Sequence, residues 1–595
     1  MKRINSILKS LALPILCLLP FFIWTFFLQS PILISFARTV PLRALLMFVN
    51  IGDGATSDLY FALLVALAST YLCYAISLWS KKAAFGFRCV LYLLLVTTFV
   101  ARKFLLVEFG LQLTPSTFSL LQETNGHEVS GFLDTYILSN IGLKYLLFVI
   151  GLYLIVLLSD ILYGRKLIAA KVSERLKPTV GGVIGLIIVM SIPAIRGGYE
   201  QLLQLPGGQS TFSAIQCTLL KLSKTSEESH SYWNKIQVIA KETGVASCSE
   251  DSINVVFVLG ESFIKAHSSL YGYPLPTMPN MESEKEKGNL FVFEDLVTPY
   301  NGTSNAMKNL FCLNDMSKGE KWYECIYWPQ LFKKAGFHLY LWDNQKNFDK
   351  RHGNTFYEMY AHKVANACYD RMNETAYDYD EAIVEDFKKN GHVNYGGKNY
   401  VWFHLMGQHF AFADKSPNDK KVFQAKDIKR TDSYLTDDMK QVMADYDNAV
   451  HYNDEVLKSI IDLFRNTNSV LVFISDHGEE AYDYRAKASR PAMETGLESE
   501  FAHCQYDVPM LVWCSDIYKE KHKDVVNELA NSGTHSSMSD KIGYSLIRLA
   551  QIKTKYYDPQ RDMTSIKFQK TRRTIYLMGG EKSLDYDVIT HHPHL

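Results

Sequence analysis

Apolar residues are distributed in two unlike ways along this chain. Before position 200 they come in long runs; after 250 they come in short runs separated by polar and helical stretches. The long runs are 11–36, 57–79, 83–105, 143–163 and 179–195. Each is long enough to carry a helix across a bilayer, which takes about 17–25 residues and more when tilted. The pattern therefore predicts five membrane-spanning helices, the fifth being short and glycine-rich. Lys2, Arg3 and Lys9 ahead of the first run look like the start of a signal peptide. The run is too long for one, no small-residue cleavage site follows, and further spans come after it, so a membrane helix is expected instead. Residues 197–250 read as a connector, glycine- and proline-bearing at first. One or two amphipathic helices follow in AIQCTLLKLSKTSEESHSYWNKIQVIAKE, suited equally to a linker and to an interfacial position.

From 252 the period changes. INVVFVLG (253–260), LFVFEDLV (290–297), FHLYLWDN (337–344), YVWFHLM (400–406), VLVFISD (470–476) and VPMLVWCS (508–515) are continuous apolar, β-rich segments. Helical stretches such as YWPQLFKKAG and DYDNAVHYNDEVLKSIIDLFRNT lie between them. Strands apolar on both faces and alternating with helices predict an α/β domain with a mostly parallel central sheet covered by helices. The expected organisation is a five-helix transmembrane domain over 1–196, a bridging segment over 197–250 and an α/β domain over 251–595.

Composition sharpens this division. The chain of 595 residues carries 62 Lys+Arg and 62 Asp+Glu, a net charge of zero. Residues 1–200 hold 17 basic and 9 acidic side chains, so that part stands at +8 and the rest at −8. An acidic larger part lacks the concentrated basic face of a nucleic-acid protein, and none is expected as a partner. The 48% hydrophobic and 13% aromatic content excludes a disordered chain. Basic residues gather at the amino terminus, at Lys81 and Lys82, and at Arg165, Lys166, Lys171, Arg175 and Lys177. By the positive-inside rule these three segments are cytoplasmic. Five spans then place everything after 196 on the outer side, together with the loop at 106–142, which reads as short amphipathic structure. Ten cysteines are too few for a small disulfide scaffold.

Sites in open α/β sheets lie at the carboxyl ends of the strands. Three predicted strands end in polar residues of one chemical kind: Glu261 after VVFVLG, Asp476 and His477 in FISDHGEE, and His404 and His409 in FHLMGQH. Any one of them reads more readily as a cap or a turn; three at one sheet edge form an oxygen and nitrogen donor set suited to Zn²⁺, with a coordination position left open. Thr303 and Ser304, in NGTSNAM, stand past another strand at the expected start of a helix. A hydroxyl there is either a metal-activated nucleophile or an ordinary N-cap, and spacing does not choose between them.

VLGES with GYPLPTMPN, then NGTSNAM, WDNQ, HLMGQH and SDHGEE, in that order, resemble the phosphoethanolamine transferases that modify lipid A or the lipopolysaccharide core, within the alkaline phosphatase/sulfatase superfamily. The likeness extends over nearly the whole chain, since that family also joins five membrane helices to an outer zinc domain. It implies Glu261, Thr303, Asp476 and His477 as ligands of one tightly bound Zn²⁺, with a second ion as an alternative. It implies Thr303 as nucleophile, preferred to Ser304 because Met307 and Phe311 then fall on the family's apolar helix positions. Asn344 and His409 correspond to residues that hold the phosphoethanolamine group, and His503 to a substrate-binding histidine near the phosphate or a second metal, with a shorter spacing to Val508-Pro509 than in the lipid A enzymes. The implied partners are phosphatidylethanolamine as donor, lipid A or lipopolysaccharide core as acceptor, and membrane lipid. The implied location is the bacterial inner membrane, with the catalytic domain in the periplasm. The rival readings are a glycerol-phosphate transferase of the lipoteichoic acid synthase type and transfer to another periplasmic glycan. Asn301 stands where the lipid A enzymes often have a cysteine. Cys312 therefore lacks that partner, and Cys325 is the candidate that remains.

Overall fold

The computed structural model describes residues 79–109, 133–163, 230–345, 363–488, 498–577 and 583–591, with scattered positions among 69–77 and at 228. Two compact units divide the chain, Met1–Lys224 and Thr225–Leu595.

In the first unit the described residues form two long helices, Lys81–Phe109 and Asn140–Tyr163, at the third and fourth predicted spans. Both are long and apolar enough to cross a membrane. They meet through Tyr92, Val96, Val100 and Val156. Phe104 packs edge-on against Tyr145, with ring centroids 5.0 Å apart. Away from that seam Leu147, Leu154, Ile155 and Leu158 are exposed, the composition of a lipid-facing surface. The predicted spans 11–36 and 179–195 lie outside the described residues. Of 57–79 only scattered helical positions are described.

The second unit is built on a seven-stranded sheet. Its strands are β2 (Ile253–Gly260), β3 (Leu290–Phe293), β5 (His338–Asp343), β6 (Arg371–Met372), β7 (Lys398–His404), β8 (Ser469–Ser475) and β9 (Met510–Cys514), in the spatial order β3-β9-β8-β2-β7-β5-β6. The five strands from β8 to β6 are parallel, whereas β9 runs antiparallel to both β8 and β3. The sheet is therefore mixed. The predicted strand 290–297 breaks at Glu294, and Leu296–Val297 (β4) pairs instead with Ser537–Met538 (β10).

The continuous apolar strands are explained by two cores. Along β2, Val255, Phe257 and Leu259 enter one core while Val256 and Val258 enter the other. Along β7 the division is Tyr400 and Trp402 against Val401 and Phe403, and along β8 it is Val470, Val472 and Ile474 against Leu471 and Phe473. A two-residue period with both faces buried leaves no polar alternation to see. One face is covered by helices Thr303–Leu310, Pro329–Lys334 and Ile542–Leu549, the other by Pro279–Glu286, Glu381–Asn390 and the long helix Asp437–Phe464. The long helix starts at an N-cap, Thr436, whose side chain accepts from Met439 N, with Asp437 and Asp438 in its first turn.

Part of the segment read as a connector packs into this unit. Residues 230–241 are helical and bury Tyr232, Ile236 and Ile239 in the first core. Ala246–Cys248 (β1) pairs antiparallel with Ile552–Thr554 (β11). Cys312 and Cys325 are both free thiols, and the Cys312 thiol contacts the Tyr232 hydroxyl at 3.7 Å.

Candidate active site

Strands β2 and β8 are neighbours, paired from Asn254↔Ser469 to Gly260↔Ser475. The residues that follow each strand therefore emerge side by side. Glu261, Asp476 and His477 offer ligand atoms that all lie within 4.8 Å of one another, and all three side chains are buried. His477 Nε2 is 3.2 Å from Glu261 Oε1 and 3.1 Å from Asp476 Oδ2.

Each ligand is aimed by a second bond. His477 Nδ1 is 2.7 Å from the Gly478 carbonyl, a contact only an N–H can make, so Nε2 is the nitrogen turned to the cluster. Asp476 Oδ1 accepts from the His477 and Ser262 amides, leaving Oδ2 towards His477. Ser262, at φ 58°, donates its hydroxyl to Glu261 Oε1. Tyr446 braces this bend, its hydroxyl donating to Ser262 O and accepting from Ile264 N. Ser475 Oγ donates to His477 O and accepts from Phe263 N, tying the two strand ends together.

Thr303 is the first residue of the helix Thr303–Leu310, whose N-cap is Gly302. Its hydroxyl is therefore not the cap. Instead it donates to Glu261 Oε2 at 3.0 Å and lies 3.2 Å from His477 Nε2. Two carboxylates, an imidazole nitrogen and a hydroxyl thus converge at the positive end of a helix. Two buried carboxylates turned towards the lone pair of one imidazole repel each other and that lone pair unless a cation stands among them. The oxygen and nitrogen donor set fits Zn²⁺.

A family model described as Sulfatase matches residues 253–552, about half of the chain. The chain belongs to the sulfatase family. Its similarity to a curated protein of Escherichia coli O18:K1:H7, the phosphoethanolamine transferase EptC, is 27% identity over 346 residues, 56% of this chain and 57% of the relative. The match thus spans little more than half of that relative's length. The crystal structure of the C-terminal periplasmic domain of E. coli EptC in complex with Zn covers 58% of this chain and 96% of that one, with 24% identity and a TM-score of 0.50. The integral membrane lipooligosaccharide phosphoethanolamine transferase A from Neisseria meningitidis covers 90% of this chain and 97% of its own, with 16% identity and a TM-score of 0.53. At these identities the structural likeness is one of fold.

The other sequence candidates lie on neighbouring elements, with partners of their own. Asn344 follows β5, is buried, and has both ends of its amide engaged, donating to Asp380 at 2.8 Å and accepting from Tyr377 N at 2.7 Å. It is the next residue, Gln345, that reaches the cluster, donating to Glu261 Oε2 at 3.1 Å and to Leu405 O at 2.7 Å. Gln345 stood in the WDNQ motif but was not singled out there. His404 is buried at the end of β7 against Asp343, at 3.0 Å. His409 lies half-buried in the turn beyond it.

His503 sits on the helix Ser499–Tyr506, 41% exposed, with Nδ1 3.0 Å from both Asp507 Oδ2 and the Tyr586 hydroxyl. Burial would raise the Asp507 carboxyl, but His503, Lys265 and Tyr586 outweigh it and hold it below its ordinary value. That helix borders the cluster through Gln505, whose carbonyl accepts from Gly478 N and whose side chain accepts from Asn301. A side chain at Gly478 would strike the Cys504 carbonyl, so the SDHG turn admits nothing larger there.

A second buried group was also missed in the sequence. His267, in the GESFIKAH stretch, lies between Asp447 and Asp483, Nδ1 at 2.6 Å from one and Nε2 at 2.7 Å from the other. Tyr273 donates to the remaining oxygen of Asp447. Burial alone would push this imidazole down, but Asp483 and Asp447 outweigh it and raise it to about 10.

Gly407 gives a local test of how tightly the cluster is backed. It adopts φ +51°, and an added Cβ would come within 2.8 Å of the Glu261 carbonyl oxygen and 2.9 Å of its amide nitrogen. Gly407→Ala is expected to cost about 1–3 kcal/mol from the left-handed backbone alone, and more from pushing Glu261 aside. Urea unfolding should show the loss, and zinc titration of the folded variant should show weaker binding. An unchanged midpoint with unchanged zinc affinity would contradict this backing role.

Proposed function

We propose that this protein is a membrane-bound phosphoethanolamine transferase acting through Thr303, with phosphatidylethanolamine as donor and lipid A or lipopolysaccharide core as acceptor. One observation carries most of the weight: the Thr303 hydroxyl heads a helix and bonds to Glu261 and His477 of a buried carboxylate, carboxylate and imidazole cluster. The names of EptC and of the Neisseria transferase point to the transferred group, and the latter's to a lipooligosaccharide acceptor. The two membrane-length helices suit substrates that are lipids.

Glu261, Asp476, His477 and Thr303 would hold one Zn²⁺. The metal supplies Lewis acidity, making the hydroxyl acidic and drawing charge from phosphate oxygens. Thr303 Oγ1 attacks the donor phosphorus, its hydrogen passing towards Glu261 Oε2, the oxygen to which it already donates. The phosphorus–oxygen bond to diacylglycerol breaks, and diacylglycerol leaves as the alcohol after taking up a proton. The phosphothreonine sits at the helix amino terminus, where backbone N–H groups and the helix dipole favour its charge. An acceptor oxygen then attacks the phosphorus, the bond to Thr303 Oγ1 breaks, and the hydroxyl regains a proton. His409 and His503 remain the proposed contacts of the phosphoethanolamine group, with Asn344 as a positioning residue beside them. Asp507 and Tyr586 fix the ring of His503, while Asn344 acts through the loop it holds in place.

The test is transfer in detergent micelles from phosphatidylethanolamine to purified lipopolysaccharide, read as a mass gain of one phosphoethanolamine. Chelation should abolish the gain and added zinc should restore it. Transfer of glycerol phosphate from phosphatidylglycerol instead would overturn the donor assignment, and full activity after complete metal removal would overturn the zinc site.

A further inference from the structure

On the far side of Asn344 from the cluster, a groove of about 980 Å³ runs along the sheet edge between β6 and the helix Glu381–Asn390. The end nearer the cluster carries Tyr377, Tyr379, Glu374 and Glu381, with Tyr452 contributed by the long helix. Arg371 and Lys389 lie at the other end, where Arg371 reaches the Asn390 carbonyl. The ten residues of the helix make this a path of about 15 Å. Tyr452 is set by accepting from Glu381 N at 3.2 Å and packs edge-on with Tyr379, with centroids 6.2 Å apart. Asp386 is occupied by Trp342 Nε1 and Asn390 and Glu385 is paired with Lys388, which leaves Glu374 and Glu381 as the exposed carboxylates that face a ligand.

The groove is fastened to the catalytic cluster. Tyr377 N donates to Asn344, Asn344 donates to Asp380, and Asp380 accepts from Met406 and Gly407 N. Gly407 is the residue that lies against Glu261, and Gln345 beside Asn344 donates to Glu261. A ligand in the groove would thus lie against the same loop that positions the metal ligand.

Its chemistry is specific in kind. Tyrosine faces accept the C–H faces of a ring, and their hydroxyls and the carboxylates accept and donate to ring hydroxyls. Few aliphatic side chains line it, so it offers no seat for the apolar anchors of a protein partner. Glu374 and Glu381 at the near end disfavour a phosphorylated sugar there, while Arg371 and Lys389 suit an anionic substituent farther along. We propose that this groove seats the saccharide of the acceptor, with a neutral or amino sugar over Tyr379 and Glu381 and an acidic group towards Arg371 and Lys389. The inference rests on the transferase reading above.

The two are separable because the phosphothreonine can also be discharged by water. Full-length protein in micelles is assayed twice, for diacylglycerol release from phosphatidylethanolamine without acceptor, and for transfer to core oligosaccharide freed from lipopolysaccharide by mild acid. Tyr379→Ala and Glu381→Gln change exposed side chains, and melting curves check that each variant is folded. Each should raise the KM for oligosaccharide about tenfold, the scale of one lost ring or hydroxyl contact, with diacylglycerol release unchanged. An unchanged KM would overturn the groove assignment, as would an equal fall in both reactions. A change of particle mass in light scattering with KM unaltered would overturn it in favour of a protein contact. Failure of the parent protein to release diacylglycerol at all would instead overturn the transferase reading.

Discussion

Thr303→Ala is expected to lower transfer by on the order of 10⁴-fold or more, as loss of the proposed covalent nucleophile would. The reason is positional as much as chemical. The hydroxyl belongs to a helix and not to a strand end, and it meets both Glu261 and His477. Alanine keeps the helix, because the cap is Gly302 and the threonine side chain makes no capping bond. The variant should therefore fold normally and still bind zinc through Glu261, Asp476 and His477. With donor but no acceptor, digestion and mass spectrometry of the parent protein should find phosphoethanolamine on the peptide containing Thr303, and the variant should give none. Full transfer by Thr303→Ala, or a label on Ser304, would sink the assignment.

His267→Ala costs about 3–5 kcal/mol of stability, the penalty for removing the cation from a buried ion pair. Here the loss leaves two carboxylates, Asp447 and Asp483, facing a cavity. The dependence on pH has a definite sign. The folded value is about 10, above the ordinary 6.5, so the protonated ring contributes fully below 6.5 and its contribution is lost as pH rises towards 10. Urea midpoints of the parent protein should fall across that window more steeply than those of His267→Gln. Parallel pH profiles would show that the ring is not held as an imidazolium. Because Asp483 also accepts from Ala481 N, a few residues beyond His477, zinc affinity should drop along with stability.

Much of this was legible in the residues. Six apolar runs marked six of the seven sheet strands and their order in the chain, because strands buried on both faces carry an uninterrupted signal; the two-residue edge strand β6 was too short to show. Glu261, Asp476 and His477 were legible as one cluster because polar residues directly after such strands must emerge at one edge. The antiparallel course of β9 was not, since an apolar pentapeptide reads the same in either direction. Nor was the break at Glu294, which depends on partner strand β10 far along the chain. Gln345 and His267 escaped notice for a related reason: each acts through a contact with a distant segment, and nothing local distinguishes a glutamine that supports a ligand from one in solvent. The helix at 230–241 was read correctly as amphipathic, but its apolar face meets Trp322 and Tyr327. An apolar stripe does not say which surface will cover it.

The pairing of β2 with β8 also fixes an order of events during synthesis. Ser262 and Asp476 bond across a chain separation of 214 residues. A chain emerging from its amino terminus presents Glu261 and Thr303 long before Asp476 and His477. Two oxygens alone would hold a metal ion weakly. The full donor set is assembled only when β8 lies beside β2, a pairing that carries the loop-closure cost of a long intervening segment. On the proposed zinc reading, the ion would then be chosen by a finished pocket and not by whichever metal first met the nascent polypeptide.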